Sequence, residues 1–232
     1  IKFPNWFPFN IYKISYWSRT VLVPLLIIMN KKPLANNPNG VDITELFINP
    51  RNSMSSIRPV KNSKYSRIFL YLDKIMRVIF PFIFSNKFKK NCIEDIYKWI
   101  LKRLNGEDGL GGIFPAMVNA LIALKIDEKN RFEKEVKICK KSIDNLIVEQ
   151  KKMAYCQPCV SPIWDTGWMG HVLLEKGDED VSKLVDWFLK KEIKVKGDWA
   201  VNKKMTDIGG WAFQFNNSFY PDVDDTALVG MF

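Results

Sequence analysis

An all-α fold is predicted by three features of this sequence. Alternation of apolar and polar residues with period 2 is scarce along its 232 residues. Most of the chain reads instead as helical stretches interrupted by Gly, Pro and Asn turns. A helix–glycine turn–helix unit also recurs. Trp99-Ile100-Leu101-Lys102-Arg103-Leu104 leads to Gly109-Leu110-Gly111-Gly112 and then to an apolar run at residues 118–126. Trp187-Phe188-Leu189-Lys190-Lys191-Glu192 leads likewise to Gly197-Asp198-Trp199, after which Gly209-Gly210-Trp211 and a second apolar run follow. Helix pairs repeated in this way stack into α-solenoids or close into α/α barrels.

Residues 20–29 (TVLVPLLIIM) form the first strongly apolar segment. Ten residues fall short of the roughly 20 that cross about 30 Å of hydrocarbon, so the segment reads as a core helix. Residues 68–84 (IFLYLDKIMRVIFPFIF) are apolar around most of a helix, and positions 73, 77 and 81 form one narrow stripe with Lys74 beside it. Lys87, Lys89 and Lys90 follow at once, where they could meet lipid phosphates. Two environments suit this pattern: the surface of a bilayer, with the helix lying in the interface, or a deep core that leaves one wet stripe.

With 47% hydrophobic residues the chain has ample material for a core, which excludes general disorder. Its length allows one large domain or parts of two. It begins at Ile1 and stops at Phe232 inside an apolar run, so an internal piece of a longer protein is expected. The net charge of +10 comes mostly from scattered Lys. That scatter is as well explained by codon usage as by an anionic membrane surface. No dense basic stripe is interleaved with aromatics, which argues against nucleic acid as a partner. Of four cysteines, only Cys156 and Cys159 have metal-like spacing, and no second pair accompanies them. No metal site is expected, and the thiols read as reduced in a cytoplasm-facing protein.

The chemistry concentrates near residue 224. Asp222, Asp224 and Asp225 place three carboxyls within four residues, immediately before the apolar run at 227–232. Facing an apolar cavity, three such groups cannot all ionise without heavy desolvation and mutual repulsion. At least one would stay protonated near neutral pH and could act as a general acid. Aromatic rings are abundant nearby: Trp164, Trp199, Trp211, Phe213, Phe215, Phe219 and Tyr220. Ring faces attract cations without offering a nucleophile. Core packing and a solvated acidic turn are the plain alternatives for these two features.

AYCQPCVSPIWDT (154–166), GDWAV (197–201) and GGWAFQFNNSFYPDVDDTALV (209–229) resemble bacterial squalene–hopene cyclases in order and spacing. So do NIYKISYWSRTVLV (10–23) and EDGLGGIFPAMVNALIALK (107–125), and the likeness is weakest at 31–66. The helix–turn units are similar to the QW repeats of triterpene cyclases, although Leu104 and Glu192 stand where Gln is usual and Leu110 replaces the turn Trp. The resemblance implies an α/α barrel (α6–α6 toroid) fold of the terpene cyclase type, with parts of two barrels present. Residues 1–148 would belong to the inserted second barrel, with an interfacial membrane helix near 68–84. Residues 149–232 would begin the catalytic barrel segment that carries the DxDD motif.

What the resemblance implies chemically is an isomerase that converts squalene to hopene, and partly to hopanol, without a cofactor. Asp224 falls at the proton donor, flanked by Asp222 and Asp225. Trp164, Phe213 and Trp17 fall at substrate-lining positions, and Asp165 in the polar network behind the acid. A His that pairs with the acid in the family lies beyond Phe232, and His171 does not match it. The implied partners are squalene and the cytoplasmic face of a bacterial inner membrane, with the oligomeric state open, a homodimer included. Two other readings stand beside this one: a class II cyclase of another polyprenoid such as a diterpenyl diphosphate, and a non-catalytic α/α repeat protein docked on a membrane.

Overall fold

A computed structural model describes residues 2–8, 10–46, 64–177, 180–202 and 207–232, without the side chains of Phe80 and Pro81. Among these residues lie eight α-helices and a single two-stranded sheet. Two compact units are present: one comprises Ile1–Lys32 and Cys92–Phe232, the other Pro33–Asn91.

The larger unit is organised around three helices, α1 (Tyr16–Lys31), α4 (Phe114–Lys125) and α5 (Glu133–Asp144), with the C-terminal part of α3 (Asn86–Arg103). Helix α4 packs on both α1 and α5. It can do so because Ala116, Ala120 and Ala123 present one face of small side chains, all of them buried. Val23 and Ile27 of α1, Ile96, Tyr97 and Ile100 of α3, and Phe132 and Cys139 complete this core. The apolar segment at 20–29 is thus part of a core helix as expected, with Leu22, Leu26 and Met29 on its exposed side. Pro24 has no N–H to offer inside α1. Close by, the Asn119 amide of α4 donates to the Val21 carbonyl at 3.2 Å.

Two departures from the sequence reading have local causes. Strands β1 (Ile147–Gln150) and β2 (Met153–Cys156) form an antiparallel hairpin where no strand was expected. Lys151 and Lys152 form its two-residue turn, and strands this short give too little alternation to register. The second helix–turn unit is also less regular than the first. After α6 (Pro162–Glu175) and α7 (Ser182–Lys191), Gly197-Asp198-Trp199 opens into a 3₁₀ turn at Asp198–Ala200 rather than a helix. Gly197 makes room there, since a side chain would run into the Phe219 carbonyl, 2.2 Å from a Cβ. The next helix, α8 (Val223–Met231), starts only after Pro221. Helices α6 and α8 pack together where Gly167 meets Leu228 and Gly170 meets Phe232; a Cβ would come within 2.6 and 2.4 Å of those side chains.

Buried ions pin this arrangement. Asp198 accepts from Arg103 Nε at Oδ2 (3.0 Å) and from Nη2 at Oδ1, and Arg19 Nη1 lies 3.2 Å from the same Oδ2. All three side chains are nearly solvent-free. The Arg19 guanidinium also sits over the rings of Tyr12, Tyr16 and Tyr220 at 5.3–5.8 Å, and Arg103 over Trp99 at 4.0 Å.

In the smaller unit, α2 (Lys64–Ile83) contains the hydrophobic segment, and Asp73 and Arg77 pair along its stripe at 2.7 Å. Pro81, the third stripe position, has its side chain outside the described residues. Most of the apolar residues described on α2 are exposed, Phe82 to 85%. Among the described residues no helix is long and apolar enough to cross a membrane.

Replacing Asp198 by Asn keeps its shape but leaves two buried guanidiniums without a counter-charge. In the full-length protein the cost should be about 3–5 kcal/mol, read as a lowered urea midpoint. A midpoint unchanged from wild type would show that the ions do not hold these segments together.

Candidate active site

The N-terminal ends of four helices meet at one cleft. Trp17 comes from the first turn of α1, Ile113 from the residue capping α4, and Trp164 from the first turn of α6. Asp222 caps α8, and Asp224 and Asp225 lie in its first turn. With Phe213 these seven residues line a volume of about 290 Å³. Backbone pairing holds the helix ends together. The Phe114 amide donates to Pro158 O at 2.9 Å and the Val160 amide to Gly112 O at 2.9 Å, which ties the entry of α4 to that of α6. The Asp222 amide donates to Trp211 O at 2.7 Å.

Every substrate-lining and acidic residue expected from the sequence, Asp165 apart, therefore borders the same space. Trp17 and Phe213 meet edge to face at 5.1 Å. The other rings near the motif have different surroundings. Tyr220 stacks on Tyr16 at 5.0 Å, the Trp211 indole donates to the Phe188 carbonyl at 2.7 Å, and Phe215 lines a neighbouring cavity of about 390 Å³. Asp165 borders that second cavity with Gln157, Cys159 and Ser161, and accepts a 2.9 Å hydrogen bond from Ser161 Oγ. His171 lies apart from the cleft residues, its Nε2 3.3 Å from the Leu228 carbonyl.

The three carboxyls are not equivalent. Rather than sharing a turn ahead of the apolar helix, they form its N-terminus, where acidic side chains are well placed. Asp222 accepts from the Asp224 amide at 2.9 Å. Asp224 is exposed in the cleft. Asp225 is 1% exposed, and its Oδ1 has no hydrogen-bond partner. Burial, reinforced by the charges of Asp222, Asp224 and Asp165, pushes the Asp225 carboxyl up to about 7. The cluster thus keeps a proton near neutral pH.

The sequence profile of the squalene-hopene cyclase N-terminal domain matches residues 1–152, and that of the C-terminal domain residues 160–232. The chain belongs to the squalene–hopene cyclase family. It is 44% identical to the squalene–hopene cyclase of Bradyrhizobium diazoefficiens over 98% of this chain and 36% of that protein. Identity is 41% to a probable squalene–hopene cyclase of Sinorhizobium fredii, over 100% of this chain and 37% of the relative. It is 38% to the squalene–hopene cyclase of Zymomonas mobilis, over 98% and 36%. The chain thus spans little more than a third of the length of these cyclases.

Membership of the cyclase family did not bring out the polar residues beneath the cleft. Asp108 is fully buried in the glycine turn before α4, and burial pushes its carboxyl up against the opposing pull of nearby amides. Gln214 is buried beside Gly112. Arg19, Arg103 and Asp198 read in sequence as ordinary charges.

The Asp225 carboxyl makes stability depend on pH in a defined direction. Its folded value of about 7 lies above the ordinary 3.8, so between these values the folded state holds more protons. Its contribution to stability is present below about pH 4 and is lost as pH rises through 7. Asp225→Asn has no such dependence. Melting temperatures of both full-length proteins from pH 4.5 to 7.5 should show a gap that widens in favour of the variant, equivalent to about 3 kcal/mol over that range at 1.36 kcal/mol per unit. A constant gap would mean that Asp225 is ionised throughout.

Proposed function

We propose that this chain contains the proton-donating centre of an enzyme that cyclises squalene to hopene, with some hopanol where water meets the final cation. The observation behind this reading is a trio of carboxyls, one buried and holding a proton to about pH 7, at a cleft walled by Trp17, Trp164 and Phe213. Relatives named squalene–hopene cyclases support the substrate.

The charges of Asp222 and Asp224 act on the Asp225 carboxyl, and the proton held there can pass to the member that faces the alkene. Asp224, exposed in the cleft and aligned with the family's donor, fills that role. Its O–H bond breaks with the electron pair left on oxygen, while the π pair of a terminal double bond forms the new C–H bond. The adjacent carbon becomes cationic and is attacked by the next double bond, and ring closure proceeds in sequence. The last cation loses a proton to give hopene, or takes up water, whose extra proton is then released, to give hopanol. No cofactor is needed to balance this isomerisation. Asp222 and Asp225 hold the trio's remaining negative charge close to the first cation. The faces of Trp17, Trp164 and Phe213 stabilise later cations without trapping them. Asp165 extends the negative field behind the trio.

Residues 1–148 fit the inserted barrel in this reading, and residues 149–232 the start of the catalytic one. Helix α2 would lie in the interface at the cytoplasmic face of a bacterial inner membrane, taking up squalene from the bilayer. Its exposed apolar side chains and Asp73–Arg77 stripe support that role.

Asp224→Asn in the full-length enzyme removes the acidic proton with little change of shape. Turnover of squalene should fall by more than the 10²–10⁴-fold (roughly) typical of general acid catalysis, since an unactivated alkene has no easier route to its first cation. Phe213→Ala should instead lower the rate and release early-terminated products, visible by gas chromatography. A folded Asp224→Asn enzyme that keeps a tenth of wild-type turnover would rule out Asp224 as donor.

The membrane role is tested separately. Phe82→Asp should shift the full-length protein from anionic phospholipid vesicles into the soluble fraction on flotation, because a carboxylate in the apolar interface costs several kcal/mol. Partitioning equal to wild type would exclude α2 as the lipid contact.

A further inference from the structure

The carboxyl trio is held by a hydroxyl that belongs to neither the acid nor the aromatic wall. Thr226 follows Asp225 in α8, one turn after the capping Asp222. Its Oγ1 donates to the Asp222 carbonyl at 2.6 Å, with the Trp211 carbonyl at 3.4 Å as a second acceptor. The same oxygen accepts from the Trp211 amide at 3.0 Å. The Asp222 amide completes the circuit by donating to Trp211 O at 2.7 Å. Four polar backbone groups, the N–H and C=O of residues 211 and 222, thus converge on one side chain or on each other. Trp211 is itself fixed from behind by its indole bond to Phe188 O at the end of α7.

The neighbouring glycine shows how closely this contact is fitted. Gly210 has φ 100°, a conformation costly for any other residue, and a Cβ there would come within 2.8 Å of Thr226 Oγ1. The segment at 210–211 can therefore lie against the first turn of α8 only because residue 210 has no side chain and residue 226 presents a small hydroxyl. Valine would match threonine in shape but could neither donate to Asp222 nor accept from Trp211; the Asp222 carbonyl would keep its bond from the residue 226 amide, and the Trp211 amide would lose its acceptor.

We propose that Thr226 is a positioning residue of the acidic centre, and that its hydroxyl sets the placement and dryness of the Asp222–Asp224–Asp225 trio. This rests on the proposed reading of the trio as the proton source. Loss of the hydroxyl removes its bonds to the Asp222 carbonyl and from the Trp211 amide, leaves the Asp222 amide bond to Trp211 O to hold the helix entry to residue 211, and so loosens that entry. Water then reaches Asp225, which is otherwise faced by Asp222 and Asp224 on its own helix and by Asp165 on α6. Lower desolvation moves its carboxyl back toward the ordinary range. Since the donor must be protonated, activity that falls as pH rises would then begin to fall at lower pH.

The test compares Thr226→Val and Thr226→Ser in the full-length enzyme, with squalene as substrate. Thr226→Val should lower turnover by about 10²-fold, the scale associated with a displacement of about 1 Å at a reacting group. It should also shift the alkaline limb of the pH–rate profile to lower pH. Thr226→Ser keeps the hydroxyl and should retain both the rate and the limb. A Thr226→Val enzyme with the wild-type profile would overturn the inference, and so would a Thr226→Ser enzyme as impaired as the valine variant. Carboxyl titration by ¹³C NMR separates this result from the activity reading. If the wild-type protein leaves squalene unchanged, the proposed reaction fails. The positioning role then stands or falls on whether the Asp225 midpoint drops in Thr226→Val.

Discussion

Two arginines share one buried carboxylate beneath the cleft, and the larger unit depends on how that shared charge is satisfied. Arg19 extends from α1, Arg103 from the end of α3, and Asp198 from the turn after α7. An isolated guanidinium so deeply buried would be strongly unfavourable, so the three segments are confined to the arrangement in which both cations reach Asp198. The triad still has an excess positive charge, and five aromatic rings compensate it. Burial lowers the Arg19 value while Asp198 opposes the shift, and ring faces of Tyr12, Tyr16 and Tyr220 provide further electron density.

The same ions reach the cleft through the rings they touch. Tyr16 precedes Trp17 and stacks on Tyr220, two residues before Asp222. Arg103 lies over Phe219 at 5.1 Å, and the Asp198 amide donates to the Phe219 carbonyl at 2.8 Å. The aromatic wall and the acidic helix entry are therefore referred to one anchor. Fixing Trp17 and the segment before Asp222 from a common buried centre keeps their separation constant.

Close approach of helices is the second constraint. Alanines on α4 and glycines on α6 remove side chains where α1, α5 and α8 must come near. As a result four helix N-termini reach the same space, and their first turns supply the cleft with both aromatic and acidic groups. The position of Asp225 follows directly: it occupies the inward face of the first turn of α8, whereas Asp224, one residue earlier, faces outward. A step of about 100° around the helix gives two adjacent carboxyls opposite environments.

Helical periodicity, the Gly/Pro punctuation and the unbroken motif at 220–227 were legible in the sequence because they are local. The helical class, the interruption of helices at glycine turns and the crowding of three carboxyls all follow from neighbours along the chain. The small hairpin at 147–156 was missed because strands of four residues give too little alternation, and the irregular second unit because the Phe219 carbonyl that crowds Gly197 is distant in sequence. The same holds for the buried residues beneath the cleft. Nothing local distinguishes Arg19, Arg103 or Asp198 from solvated charges, or Asp225 from Asp224. Sequence by itself determined which chemical groups are available and which helices bear them. Tertiary structure alone decided which charges are dry, because desolvation depends on the segments that close over a group, and those come from remote parts of the chain.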